Sequence, residues 1–387
     1  MKRTSSCALV LVLIFITAAI TGCGTASGAR TQVVNLGVIA PLTGSAATFG
    51  VSSRNGVQMA VDEFNAAGGA IIDGIATTVR TVVEDDTGSP EVGASAAQKL
   101  ISQDRIIGLV GAVTSKVTLA VAPIMQAAGI PTITGTSTNV QVTRVGDYIF
   151  RGCFIDPFQG TVMANYVWNT AKLTTAAVLY DNGNDYNMGL AENFRSSFEA
   201  LGGKVVAYEA FTDEEKTIDY KAQLTNIKAA DPQFLYLPNY YGATALILRQ
   251  AREMGLNVPA GGGDGWDSPK LVEVGGAAVE GGVFSNHFSK DDPRPEVQRF
   301  VAAYRTKFGA DPDALATLNY DAAGLFLKAF SQAGTVKNTA IRDAMKGISF
   351  QGVTGLLSFD AERNPIKSAV ILTIKDGEQQ YVTTINP

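Results

Sequence analysis

The first half of the chain alternates short β-rich hydrophobic runs with stretches that have a helical period. The predicted strands are residues 33–40, 77–83, 106–110 and 131–134. One predicted helix runs through Val57, Ala60, Val61 and Phe64 to a stop at Gly68-Gly69, and two more cover residues 91–102 and 115–128. Strands and helices that alternate in series are typical of a parallel sheet covered by helices.

The same pattern restarts at residue 176. Predicted strands at 176–180, 205–211, 234–237 and 258–262 alternate with helices marked by Phe194 and Phe198, then 220–229 and 243–254. Three longer helical stretches follow Gly281, near 296–308, 314–333 and 339–345, and residues 354–385 alternate like edge strands or a hairpin. Because a chain of 387 residues is long for one core, we expect an α/β protein with two doubly wound parallel-sheet lobes built from discontinuous segments. Ligands of such sheets bind in the crevice at the carboxyl ends of the strands.

The N-terminal segment is typical of a bacterial export signal. Lys2 and Arg3 precede an uncharged, mostly apolar stretch at 8–20, which is shorter than the roughly 20 residues that a membrane-spanning helix needs. The following Ile20-Thr21-Gly22-Cys23 resembles a lipobox, so we predict a signal peptide over 1–23, lipid on Cys23 and a polar tether over 24–32. A plain signal peptide with an incidental cysteine is the alternative.

Charge and cysteine content exclude several function classes. The net charge of −5 and the lack of a basic run argue against a nucleic acid partner. Cys153 is the one cysteine of the mature body, so no internal disulfide is expected, and a buried structural role suits it. The single histidine, His287, and the absence of a Gly-x-Ser-x-Gly motif argue against a hydrolase. We expect no enzyme activity, no cofactor and no metal.

Several short motifs occur in an order that resembles the type I periplasmic binding proteins of the leucine/isoleucine/valine transport class. They are Gly37-Val38-Ile39-Ala40-Pro41-Leu42-Thr43-Gly44, Asn65-Ala66-Ala67-Gly68-Gly69, Glu84-Asp85-Asp86, Gly111 to Ser115, Gly129-Ile130-Pro131 with Thr136-Ser137-Thr138, Leu248 to Arg252, and Gly263-Asp264-Gly265-Trp266-Asp267-Ser268. Each motif alone is weak, and their order from about Val33 to the end of the chain carries the resemblance.

The resemblance implies an amino-acid site between the lobes. In the first lobe, Ser115 matches the serine that holds the ligand carboxylate at a helix start, with Val113 and Thr114 before it. Thr136 and Thr138 match the next ligand-binding loop.

In the second lobe, Asp264 matches the acidic partner of the ligand ammonium, which is commonly Glu in this family. Tyr240 and Tyr186 match aromatic residues of the site. Two departures change the expected pocket: Phe49 replaces a tyrosine, and Trp266 replaces a small aliphatic residue, so both are expected as pocket walls. Leucine specificity is therefore not carried over, and branched-chain, aromatic or smaller ligands stay open.

The resemblance also implies an organisation and a partner. Residues 33–155 and 287–354 would form the first lobe, residues 156–286 and 355–387 the second, with three crossing strands between them. The expected function is that of a monomeric, exported solute-binding lipoprotein that delivers an amino acid to an ABC permease and its ATPase. A sensor of amides, urea or amino acids on the same fold, without transport, is the alternative.

Overall fold

The computed structural model describes residues 30–386, which form two α/β lobes with a cleft between them. The predicted signal peptide, Cys23 and residues 24–29 of the tether lie outside the described residues. Within residues 30–386, none of the helices combines the length and the apolar character that a membrane span requires.

Strands and helices alternate along most of the chain. The strands are β1 (Thr31–Ala40), β2 (Ala70–Ile72), β3 (Ile75–Asp85), β4 (Gly108–Gly111), β5 (Thr132–Thr134), β6 (Ile149–Arg151), β7 (Thr175–Asp181), β8 (Lys204–Phe211), β9 (Phe234–Tyr236), β10 (Ala260–Gly262), β11 (Val283–Asn286), β12 (Phe350–Gly352), β13 (Gly355–Leu357), β14 (Ala369–Lys375) and β15 (Glu378–Ile385). The helices are α1 (Ala47–Ala66), α2 (Pro90–Ser102), α3 (Ser115–Ala128), α4 (Gln141–Arg144), α5 (Asp156–Asn165), α6 (Asp185–Ala200), α7 (Lys221–Ala229), α8 (Tyr241–Glu253), α9 (Pro269–Gly275), α10 (Pro295–Phe308), α11 (Ala314–Ala333) and α12 (Asn338–Lys346).

The first lobe is built on a six-stranded sheet in the order β2-β3-β1-β4-β5-β6. All of its neighbouring strands run parallel except β2, a short edge strand antiparallel to β3. The order reverses at β1, because the chain moves to β3 on one side and to β4 on the other. Loops that follow β1 and β4 therefore open toward one crevice, which is where ligands bind in such sheets.

The second lobe is built on a seven-stranded sheet in the order β15-β14-β11-β10-β9-β7-β8. Strands β7 to β11 run parallel, and the C-terminal hairpin β14–β15 adds an antiparallel edge next to β11. The order reverses at β7, between β8 and β9. These two sheets confirm the prediction of an α/β protein with two mainly parallel, doubly wound lobes.

The chain passes between the lobes three times, after β6, after β11 and after β13. Helix α11, between the second and third passages, packs along α1 of the first lobe. The two helices approach so closely that a Cβ on Gly56 would lie 2.0 Å from the carbonyl oxygen of Ala316. A glycine is therefore required at this crossing.

Two of the predicted helices, 115–128 and 314–333, have the same bounds as α3 and α11. Both end where the chain turns left-handed, at Gly129 (φ 63°) and Gly334 (φ 61°), which is the backbone conformation that glycine adopts at low cost. Helix α1 starts ten residues before the predicted stretch, and the sequence pattern did not predict β2, α4, β6, α5 or α9.

Candidate functional site

A cavity lies between the lobes, where the segments that follow the strands of both sheets meet, and together with its opening to solvent it has about 380 Å³ of empty space. Eight of the residues predicted from the sequence line it: Phe49, Val113, Thr114, Ser115, Thr136, Tyr186, Tyr240 and Asp264. Five residues that were not predicted complete the wall: Gly265, His287, Ala314, Leu315 and Leu318.

The first-lobe side of the cavity carries the start of helix α3. Thr114 occupies the N-cap position, and its side chain makes no capping hydrogen bond to the first turn. The hydroxyl of Ser115 accepts a hydrogen bond from the backbone N–H of Asn139 at 3.3 Å, which holds the side chain in place. Because the first-turn N–H groups of a helix have no intrahelical partner, this end of the cavity favours an anion.

The two predicted threonines have different positions. Thr136 lines the cavity, and its hydroxyl donates to the carbonyl oxygen of Val113 at 2.7 Å, which ties the two first-lobe loops together. Thr138 is fully buried beside Asp156, outside the cavity wall. Burial raises the pKa of Asp156 to about 7, although the Thr138 hydroxyl and the Arg151 guanidinium act in the opposite direction.

The second-lobe side of the cavity carries Asp264, whose carboxylate is held by three donors. Gln159 Nε2 lies 3.1 Å from Oδ1, the Tyr186 hydroxyl lies 2.8 Å from the same oxygen, and His287 Nε2 lies 2.9 Å from Oδ2. Gln159 also accepts the backbone N–H of Asp264 at 2.8 Å, so its amide orientation is fixed. A carboxylate with four lone-pair sites and three donors keeps one acceptor site for a ligand.

His287 is neutral in this arrangement. Its side chain is completely buried, and burial lowers the pKa of the imidazole although the neighbouring Asp264 acts in the opposite direction. The ring stacks on Phe154 with centroids 3.6 Å apart. A neutral imidazole that donates from Nε2 orients the Asp264 carboxylate and leaves its negative charge in place.

Three aromatic rings close the cavity from both lobes. Tyr186 and Tyr240 of the second lobe stack with centroids 5.1 Å apart, and Phe49 of the first lobe meets the Tyr240 ring edge-on at 5.5 Å. Phe49 also packs edge-on against Tyr241 at 4.9 Å, and the Tyr241 hydroxyl donates to the carbonyl oxygen of Ser45. These contacts span the cleft, so the structure is that of the closed form.

Trp266 does not line the cavity, contrary to the expectation of a pocket wall. Its side chain is fully buried in the second lobe, where the indole N–H donates to the carbonyl oxygen of Leu237 at 2.9 Å and the ring packs near Phe284. The turn over residues 264–266 points the two side chains in different directions, Asp264 to the cavity and Trp266 to the core. The position of Trp266 two residues after Asp264 therefore did not place its side chain in the cavity wall.

Sequence reasoning missed Gln159 and His287 as parts of the site. His287 carried a signal in the sequence as the single histidine of the chain, whereas the burial of the Gln159 amide is visible only in the structure. Buried polar side chains need hydrogen-bond partners, and the Asp264 carboxylate is a partner of both Gln159 and His287.

Comparison with known proteins identifies the family and the fold of the chain. A family model described as periplasmic binding protein matches residues 33–379. The chain is 33% identical over 320 residues to the Leu/Ile/Val-binding protein homolog 3 of Brucella melitensis, covering 82% of this chain and 83% of that protein. Two crystal structures superpose over 92% of this chain. The leucine-binding protein LivK of Thermotoga maritima has a TM-score of 0.86, 34% identity and 99% of its chain covered. The substrate-binding protein LivJ of Streptococcus pneumoniae, in complex with isoleucine, has a TM-score of 0.85, 33% identity and 100% of its chain covered.

Proposed function

The chain belongs to the type I periplasmic binding proteins of the branched-chain amino acid transporter class, and on that basis we propose that it binds an α-amino acid with an apolar side chain between its lobes. Proteins of this family are solute-binding proteins that act outside the cytoplasm. The observation that carries the proposal is the opposite polarity of the two cavity ends.

The two charged groups of an amino acid match these two ends. The start of helix α3, with Thr114 and Ser115, presents N–H and hydroxyl donors to a carboxylate. Asp264 from the other lobe presents a buried negative charge to an ammonium group, and charge-assisted hydrogen bonds are strong where water is excluded. A ligand with only one of the two charges would leave one end of the cavity unpaired.

The remaining wall suits an apolar side chain. Phe49 comes from the first turn of α1 and Val113 from the loop after β4, and Leu315 and Leu318 come from the first turns of α11. None of these four side chains carries a polar group, so a branched-chain or aromatic side chain can be buried there without losing hydrogen bonds. Thr136 and the Tyr240 ring border the same space.

Ligand binding and closure are coupled in this proposal. The carboxylate site lies on the first lobe and the ammonium site on the second, so only a closed protein contacts both ligand charges. A ligand with higher affinity for the closed form shifts the population toward it. The closed protein would then deliver the ligand to an ABC permease, and lipid on Cys23 would hold the protein at the outer face of the membrane.

Calorimetric titration with leucine and two analogues tests the ligand class. The analogues are 4-methylpentanoate, which lacks the ammonium group, and 3-methylbutylamine, which lacks the carboxylate. Leucine, isoleucine, valine or phenylalanine is expected to bind, and each analogue of leucine is expected to bind at least about 100-fold more weakly, because a buried charge is left without its partner. Analogue binding as tight as that of leucine would contradict the proposed polarity of the cavity.

Asp264→Asn tests the ammonium partner directly. The substitution keeps the shape of the side chain and removes its charge, so we expect binding to weaken by about 2–5 kcal/mol, or roughly 30- to 5,000-fold in Kd. Asp181→Asn is the matched control, since Asp181 is a buried carboxylate of the same lobe that accepts only from the backbone N–H groups of Gly183, Asp213 and Glu214. Equal affinity losses in the two variants would refute the assignment.

A further inference from the structure

The turn that carries Asp264 contains a second buried carboxylate, Asp267, which is 2% exposed and does not line the ligand cavity. Two of its hydrogen bonds stay within the second lobe: Oδ1 accepts from Gln379 Nε2 at 2.8 Å, and Oδ2 accepts from Asn286 Nδ2 at 2.9 Å. The third crosses the cleft, where Oδ2 accepts the backbone N–H of Ala314 at 2.8 Å.

Ala314 is the first residue of α11, a helix of the first lobe that packs along α1. An N–H group in the first turn of a helix has no intrahelical partner, and the helix dipole favours a negative charge there. Asp267 supplies the acceptor from the opposite lobe. Burial and the nearby Asp264 raise the pKa of Asp267, and burial together with Asp267 raises the pKa of Asp313 at the start of α11. Asp313, the N-cap of α11, satisfies Ala316 and Ser52 of its own lobe, so the cross-lobe bond is an additional one.

The N-terminus of α11, which this hydrogen bond contacts, also forms part of the wall of the ligand cavity. Ala314, Leu315 and Leu318 all contribute to that wall. Asp264 and Asp267 are three residues apart on one turn, so the position of the ammonium partner and the position of the apolar wall are set by the same piece of backbone. Because Asp267 and Ala314 belong to different lobes, we expect the distance between them to increase when the lobes separate.

We propose that Asp267 is a positioning residue that latches the N-terminus of α11 onto the second lobe when the protein closes, and so sets how long the ligand is held. This inference rests on the proposed function of the cavity. The latch forms in the closed protein and is absent from the encounter of ligand with the open protein. Its loss should therefore raise the dissociation rate of the ligand and change the association rate little.

Two variants weaken the latch from opposite sides. Asp267→Asn replaces one of the two acceptor oxygens with an NH2 group at a place where three N–H groups donate, those of Asn286, Gln379 and Ala314. Ala314→Pro removes the single donor from the first lobe, and proline is well tolerated at the first position of a helix, with Asp313 before it already extended (φ −92°, ψ 179°). The ligand for this test is whichever of leucine, isoleucine, valine and phenylalanine binds most tightly. We expect each variant to weaken its binding about 10- to 100-fold through a faster dissociation rate, which stopped-flow measures. The double variant should lose no more affinity than the single variant with the larger loss, because both substitutions act on the same interaction.

Phe198→Leu serves as the control for a destabilising change within one lobe, because Phe198 is fully buried in the second lobe against Phe194 and Trp168. It should lower the melting temperature while the dissociation rate stays at the wild-type value. Hydrogen exchange of the peptide over residues 313–318 provides a readout that does not depend on the ligand assignment. We expect faster exchange in Asp267→Asn than in the wild type.

Each outcome is informative about one of the two proposals. A wild-type dissociation rate in both latch variants, with normal binding of an amino acid, overturns the latch alone. A wild type that binds none of the four amino acids overturns the proposed function; faster exchange at residues 313–318 in Asp267→Asn then still supports the latch, and unchanged exchange overturns the latch as well.

Discussion

Phe49 offers a test of how much of the ligand affinity comes from contacts between the lobes. Its ring lies on the first lobe and makes edge-on contacts with Tyr240 and Tyr241 of the second, at centroid distances of 5.5 and 4.9 Å. Phe49→Leu keeps an apolar side chain of similar size and removes both aromatic contacts. We therefore expect the closed form to lose stability relative to the open form.

The magnitude follows from the two ring pairs. An edge-on aromatic pair contributes about 0.5–1.5 kcal/mol beyond its buried area, so two pairs amount to about 1–3 kcal/mol. Since opening releases the ligand, the same free energy appears in binding and corresponds to a Kd raised roughly 5- to 150-fold. Isothermal titration calorimetry with the amino acid that binds most tightly measures this change.

Phe198→Leu is a matched control. Phe198 is fully buried and also has two aromatic neighbours, Phe194 at 5.4 Å and Trp168 at 6.2 Å, but all three lie within the second lobe. Its substitution should lower the melting temperature and leave the Kd unchanged.

Because Phe49 also lines the cavity, the titration is repeated with alanine, whose side chain is too short to need that wall. A loss of equal size for the tight ligand and for alanine indicates an effect on closure, whereas a loss confined to the larger ligand indicates direct contact. A wild-type Kd in Phe49→Leu, or an equal loss in Phe198→Leu, would refute the reasoning.

Two further predictions concern a buried carboxyl group and the N-terminal cysteine. The pKa of Asp156, raised by burial to about 7, lies above its value of 3.8 in the unfolded chain, so its contribution to stability is present at low pH and is lost as the pH rises through 7. Asp156→Asn, which resembles the protonated group, should raise the melting temperature most at pH 8 and least at pH 4; an equal change at both values would contradict this. Incorporation of labelled palmitate should be lost in Cys23→Ser and kept in Cys153→Ser, and labelling that persists in Cys23→Ser would rule out lipid on that residue.

Regular elements could be predicted from the sequence where a periodic pattern and an end signal coincide. Helix α11 has an apolar pattern over its whole length, an Asp at its N-cap and a glycine after its end. Helix α5 lacks these signals, since it is only ten residues long and contains Gly160. It also buries residues around most of its surface, because it packs between α6 and β11. A helix buried on several sides has no polar face to show its period.

The start of α1 was missed for a different reason. Residues 47–56 include two glycines and several polar residues, which is a weak helical pattern on its own. The structure shows that Gly56 is required by the close approach of α11, a contact with a segment more than 250 residues away in the sequence. Local patterns cannot report such a requirement, because it arises only when the lobe is assembled.

The candidate site was predictable at the level of loops and less so at the level of single side chains. The order of strands places the segments that follow β1, β4, β5, β7, β9 and β10 around one cleft, which accounts for the eight predicted residues in the wall. Which side chain of a loop enters the cavity depends on backbone direction, as Asp264 and Trp266 show. His287 and Gln159 act through Asp264, and such roles become visible only from distances.

The packing of α1 against α11 has a consequence for how the protein is made. The first lobe cannot complete its core until residues near 330 have been synthesised, and the second sheet gains its β14–β15 edge only with residues 369–385. Contacts between such distant segments slow folding. Until nearly the whole chain exists, neither lobe can reach its final form, and for an extracytoplasmic protein we expect this delay to keep the emerging chain unfolded during export.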